Sequence, residues 1–224
     1  MTVTAQDIAD AAAEKLFDSG FDRHATADHL DWINDGQAAA CLFKPDISTQ
    51  KNTLALVEGT YQSISLTAHA LIRPVQNLGT DGNTPGTEIR IVDFDHFTTL
   101  NSGWMVAAAA AAVELVMFDE NDPRHFHCYP QQPSSNQGKI SVIEAVLPAV
   151  VTPISAVITI QDIYKPLLIA YDLYRAYSIE AKHSRTARAD ATNQWNLFVT
   201  GLGRKDLVEK SIDPNNIIRR KAAK

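Results

Sequence analysis

Helix-type periodicity at both ends of this chain, with a long strand-textured stretch between them, limits what it can fold into. Near the N-terminus Thr4 and Asp7 are spaced as a capping box, in which each side chain satisfies the other's free backbone N–H. Ile8, Ala12 and Leu16 then recur on one face, and Ser19-Gly20 is expected to end this helix. Thr26 is expected to cap a second helix, with Asp28 near the positive end of its dipole. Its buried stripe reads Leu30, Ile33, Gln37 and Cys41, and Lys44-Pro45-Asp46 closes it. Helical spacing returns after Ile160. Asp162 is placed to cap a third helix whose stripe is Ile163, Leu167, Ala170, Leu173, Tyr174 and Tyr177, with Pro166 tolerated in the first turn. A fourth helix from about Ser184 carries Ala187, Ala191, Trp195, Phe198 and Leu202 on one face, and Gly201 and Gly203 are expected to stop it.

Between these ends lie seven short β-rich runs, "TLALVE", "TYQSIS", "HALIRPV", "TEIRIV", "VELVMF", "RHFHCY" and "KISVIEAV", punctuated by Gly, Pro, Asn and Asp. Six consecutive alanines, Ala107–Ala112, favour a helix by propensity, whereas their flanks favour a linker feeding a strand over Val113–Phe118. The strand reading is preferred. The expected fold is therefore α+β. N-terminal helices (1–50) and C-terminal helices (161–203) pair into a four-helix body around an inserted, sandwich-like β module (51–160), followed by an extended arm (204–224).

Charge narrows the function. The net charge is −6, but the segment from Arg204 onward carries +4 and the preceding 203 residues −10. An acidic body does not suit a nucleic-acid reader, which needs clustered cations on a folded face. It does suit a body with a basic tail that docks elsewhere. No run approaches the ~18 apolar residues of a membrane span. The start "MTVTAQDIADAAAEKLF" lacks the basic and apolar regions of a secretion signal, so synthesis in a reducing cytoplasm is expected, with Cys41 and Cys128 as free thiols.

The segment "FDENDPRHFHCYP", Phe118–Pro130, is the densest collection of chemistry-bearing residues. On a strand, His125 and His127 point to one face and Cys128 to the other, so the three cannot converge on a metal. Asp119, Glu120 and Asp122 fall in an Asp/Asn/Pro turn, and Phe118 and Phe126 are expected in the core. In "VDFDHF" the group Asp93, Asp95 and His96 reads as a capped short helix or turn. His24, His29, His69 and His183 share no spacing and are expected at the surface or in caps, and the tyrosine stripe with Trp195 is expected to pack helices. No catalytic residue, cofactor or metal site is assigned. The alternative reading is a small metal-dependent hydrolase using His125, His127 and a nearby acid.

Several stretches in register resemble one family. "HLDWINDGQAAACLFKPD", "VQNLGTDGNTPGTEIRIVDFDHF", "VMFDENDPRHFHCYPQQP", "LPAVV…ITIQDIYKPLLIAYDLYRAYSIEA" and "ATNQWNLFVTGLG" are similar, in order, to segments of the head-to-tail adaptor proteins of short-tailed bacteriophages, over roughly Gln6 to Gly203. The resemblance implies a virion protein of the neck: a ring of about twelve copies under the portal protein, joined below to the tubular tail protein. DNA passes through such a ring without specific binding, and an acidic lining helps it slide. The arm is then the portal-docking element, with Ile217 and Ile218 as anchors and Arg219, Arg220 and Lys221 as charge contacts. A connector or tail-completion protein of another phage morphology is the neighbouring alternative.

Overall fold

A computed structural model describes residues 2–118 and 122–212, the last nine of these as backbone. The elements run α1 (Ala5–Lys15), α2 (Thr26–Phe43), β1 (Thr49–Ala55), β2 (Gly59–Ser63), β3 (Ala68–Asn77), β4 (Arg90–Asp93), α3 (Phe94–Leu100), β5 (Leu115–Phe118), β6 (His125–Gln132), β7 (Lys139–Val146), α4 (Lys165–Glu180) and α5 (Arg185–Ile212). The described chain is thus α+β, with five α-helices and two sheets. It divides into two compact units: residues up to Ile47 together with those from Pro148, and Ser48–Leu147.

In the first unit one apolar core draws on α1, α2, α4 and α5, with Ile8, Ala12, Ile33, Cys41, Leu168, Leu173 and Phe198 buried in it. The expected capping box opens α1: Thr4 Oγ1 accepts from the Asp7 N–H at 3.2 Å, and Asp7 accepts from the Thr4 N–H at 2.8 Å. The helix ends earlier than Ser19-Gly20. Phe17 adopts the left-handed conformation, φ +54°, while the Asp18 N–H donates to Ala13 O and the Phe17 N–H to Glu14 O. That is the Schellman arrangement, with phenylalanine where glycine is usual, at a cost of about 1–2 kcal/mol. Ala25 precedes the first residue of α2, so Thr26 is not its cap, and Asp28 accepts the Ala25 N–H at 3.1 Å.

Three further helix expectations need correcting. Asp162 does not cap α4; it lies in a 3₁₀ turn and accepts the Val3 N–H. Of the expected α4 stripe, Ala170 and Leu173 are buried and Leu167, Tyr174 and Tyr177 pack partly buried against the core, joined by buried Leu168, Tyr171, Asp172 and Ala176, while Ile163 is 62% exposed. Ile163 leaves the stripe because it lies in the 3₁₀ turn, before the α-helix starts at Lys165. Gly201 and Gly203 do not stop α5, which runs on to Ile212. A Cβ on Gly201 would lie 2.3 Å from Leu167 Cδ2, so this glycine serves the close approach of α4 and α5. Residues 204–212 are consequently helical where an extended arm was expected, and 213–224 lie outside the described residues.

In the second unit each of the seven β-rich runs holds a strand. One sheet has the order β1–β7–β3; the other is β2–β6–β5–β4, with β4 parallel to β5 and the remaining pairs antiparallel. Both contribute to one core of Val116, Phe126, Cys128, Ile140 and Val142. The alanine run is not helical. Gln131 Nε2 donates to Ala107 O at 2.6 Å, the Ala110 N–H donates to Gln131 O, and Gln132 Nε2 donates to Ala110 O at 3.0 Å. Ala111 O passes so near Gly138 that a Cβ there would lie 1.9 Å away. Small side chains let this segment lie along β6, and tertiary bonds outweigh propensity.

Buried and half-buried amides hold the irregular segments in both units. Asn34 accepts from the N–H and donates to the carbonyl of Val151; Gln62 does the same for Val57 and Asn77 for Val113. Each reproduces a strand-like double bond with a side chain. Asn77→Ala leaves the buried Val113 N–H and C=O unpaired, so it is expected to destabilise by about 2–4 kcal/mol, read as a lower urea midpoint.

Candidate functional site

The histidine-rich strand β6 behaves as its alternation requires. Phe126 and Cys128 enter the core, while His125 and His127 share the opposite face with Tyr61 of β2, whose register partner is His127. The Tyr61 ring stacks on His125 at 4.8 Å with planes 15° apart, and lies 5.2 Å from His127. Asp122 ties the two together. It accepts the Tyr61 hydroxyl at 2.7 Å and bonds His125 Nδ1 at 2.7 Å. These bonds, His125's first, hold the Asp122 carboxyl below its ordinary range. Phe94, at the start of α3, and Trp104 close the far side of His127 at 5.0 and 5.6 Å. Phe97 packs on both Trp104 and Tyr129, extending the aromatic layer across the sheet.

This face is built as packing. Burial pushes the Cys128 thiol up to about 12 and Cys41 to about 11, so neither is a ready thiolate. Phe118 is half-buried against the core that Phe126 enters. Asp119 and Glu120 lie outside the described residues, and among the described residues no three His, Cys, Asp or Glu side chains are grouped to hold a metal ion. Asp93 accepts the His96 N–H at 2.8 Å and caps α3, while Asp95 and His96 are exposed, as the capping reading of "VDFDHF" expects. The docking candidates Ile217, Ile218, Arg219, Arg220 and Lys221 lie outside the described residues.

Sequence reasoning missed a buried polar centre in the helical unit. His29 and Asp172 are both fully buried, and His29 Nδ1 lies 2.9 Å from each Asp172 oxygen. Phe21, His24 and Trp32 present rings edge-on to His29 at 5.4, 6.2 and 5.1 Å. His24, expected at the surface or in a cap, is also buried, with Nε2 3.5 Å from Glu180, which Arg23 also engages. Three backbone N–H groups of residues 22–24 converge on the Asp18 carboxylate and fix the turn that carries His24. Of the remaining histidines His183 is exposed and His69 half-buried. The spacing held a signal. His29 lies four residues before Ile33 on the buried stripe of α2, and Asp172 falls midway between Leu168 and Ala176 on that of α4.

Burial pushes the Asp172 carboxyl above its ordinary range, only partly opposed by His29. Burial likewise lowers His24 from 6.5, with His29 and Arg23 adding to the effect. For His24 the unfolded chain therefore binds the proton first. Its contribution to stability is full above about pH 6.5 and is lost as pH falls towards the folded-state value. Urea unfolding at pH 7.5 and 5 should show His24→Phe with a reduced loss of stability on acidification. Asp172→Ala, which leaves the buried His29 Nδ1 without its partner, is expected to cost about 1–3 kcal/mol in the same assay.

Comparison with curated proteins returned no match. A protein-family model described as SU10 adaptor protein matches residues 3–218. That span takes in every helix and strand described above. The chain therefore belongs to the SU10 adaptor protein family, a family of phage adaptor structural proteins, in line with the head-to-tail adaptor resemblance read from its sequence.

Proposed function

We propose that this protein is the head-to-tail adaptor of its phage, a ring of about twelve copies in the virion neck that joins portal to tail and continues the DNA channel. The observation that carries this reading is the family match over almost the whole chain, rather than over one module. The charge distribution supports it. A body of −10 facing a channel repels the phosphate backbone, so DNA slides without sticking, while the +4 C-terminal segment supplies cations for docking on a partner. The role is structural, without a cofactor, and the working parts are surfaces. The portal-facing contacts are assigned to Ile217, Ile218, Arg219, Arg220 and Lys221, two apolar anchors beside three cations. The tubular tail protein is the partner on the other side.

The test is direct mixing with purified portal rings. A stoichiometric complex is expected, resolved by sedimentation and by electron microscopy as a ring under the portal. Intact protein that leaves portal rings bare removes the proposal. Deleting 204–224 is expected to abolish docking while the helical circular dichroism falls only by the share of the deleted residues; docking retained after that deletion takes the segment out of the mechanism.

A further inference from the structure

The turn between α1 and α2, residues 17–25, is held on the helical unit by side chains, one of which titrates near neutral pH. Phe21 packs against the core and meets His29 edge-on. Arg23 engages Glu180 of α4, and His24 Nε2 lies 3.5 Å from the same Glu180 oxygen. The buried His24 ring stands edge-on to Trp32 at 5.4 Å and to His29 at 6.2 Å. The Nε2 atoms of His24 and His29 are both buried without a hydrogen-bond partner among the described residues. One ring-lined pocket thus holds two imidazoles side by side and gives neither Nε2 a hydrogen bond.

A proton on His24 meets carboxylates that are already engaged. The charged groups facing it are Arg23 and Asp18 of the turn, Asp28 and His29 of α2, and Glu180 of α4, with Asp172 of α4 behind His29. Asp18 accepts the N–H groups of residues 22–24, and Asp28 accepts that of Ala25. Asp172 bonds His29, and the near oxygen of Glu180 serves Arg23. Burial first, then His29 and Arg23, therefore hold His24 below 6.5 while the turn is closed. Opening gives the imidazolium water, and its ordinary affinity for a proton returns. The closed turn is thus fully favoured above about pH 6.5 and loses that advantage as pH falls towards the closed-state value.

We propose that His24 is a proton-operated latch: protonation frees the turn 17–25 from α4, and deprotonation seats it again. The opening is local, because α1 and α2 keep their own buried stripes on either side of the turn. It breaks the Arg23–Glu180 pair and moves the 96% exposed Phe17, so the surface that this turn presents changes with pH. The inference stands on the helical unit alone and does not need the ring reading above.

The test is hydrogen exchange of the full chain at pH 7.5 and 5, read by mass spectrometry and corrected for the intrinsic exchange rates. The amides of residues 22–24 are expected to exchange ahead of those of α4 at both pH values. Their opening constant is expected to rise about fivefold or more on acidification. His24→Phe keeps a ring in the pocket and carries no proton, so its turn is expected to open equally at the two pH values. His24→Gln makes the same comparison with a neutral polar side chain, and either variant serves once circular dichroism shows it folded at pH 7.5. An unaltered chain whose turn opens equally at both pH values overturns the inference. So does a turn that exchanges in step with α4, since the whole unit then unfolds together. A folded variant that keeps the acid response also overturns it and gives the response to His29 and Asp172.

Discussion

The antiparallel pairing of β1 with β7 is the constraint on which the rest of the architecture depends. It sets Thr49 opposite Ala145 and Ala55 opposite Lys139, and the Val146 N–H adds a bond to Ser48 O at 2.9 Å. The first and last strands of the inserted unit are therefore neighbours, and its two ends leave side by side. The helical unit needs that arrangement, because its core takes α1 and α2 from before the insertion and α4 and α5 from after it. Closing a long excursion costs little more than closing a short one, since each doubling of length adds only about 0.6 kcal/mol. Once the neck is zipped by a seven-residue ladder, the length of chain beyond it scarcely burdens the helices.

Within each unit, regular elements account for only part of the cohesion. The segments from Ala107 to Val113 and from Val151 to Ile160 have no regular ladder, yet both are pinned at defined points. The means is repeated: a buried amide side chain completes the hydrogen bonds of a backbone that has no strand partner. Gln37 does this with its carbonyl oxygen alone, accepting from the Thr159 N–H and hydroxyl, both at 2.9 Å. Such bonds add modestly when made and cost heavily when half-removed. They specify the path of a loop more than they stabilise the fold.

This explains what was legible in the sequence. Periodicity identified all seven β-rich runs and the helical character of both ends, because a buried face must repeat at the spacing of its element. It also separated Cys128 from His125 and His127 correctly, since alternation on a strand is nearly obligatory. Hidden from it were contacts made between distant residues. Gly201 has the composition of a helix stop, but its neighbour is Leu167, and nothing local announces that. His29 and Asp172 look like surface residues until the two stripes that carry them are set against each other. The alanine run was ambiguous for the same reason, its conformation being set by Gln131 and Gln132.

The left-handed phenylalanines show where folding alone stops explaining the sequence. A turn that ends α1 at position 17 asks for glycine, which would make the same Asp18-to-Ala13 bond without crowding its own Cβ. At Phe21 the penalty is set against an aromatic contact with His29 and burial beside the core, so phenylalanine is intelligible from inside the unit. At Phe17 the backbone penalty is the same and the ring meets water. Stability of the isolated unit would improve with the smaller residue. No contact within the described residues accounts for phenylalanine at this position.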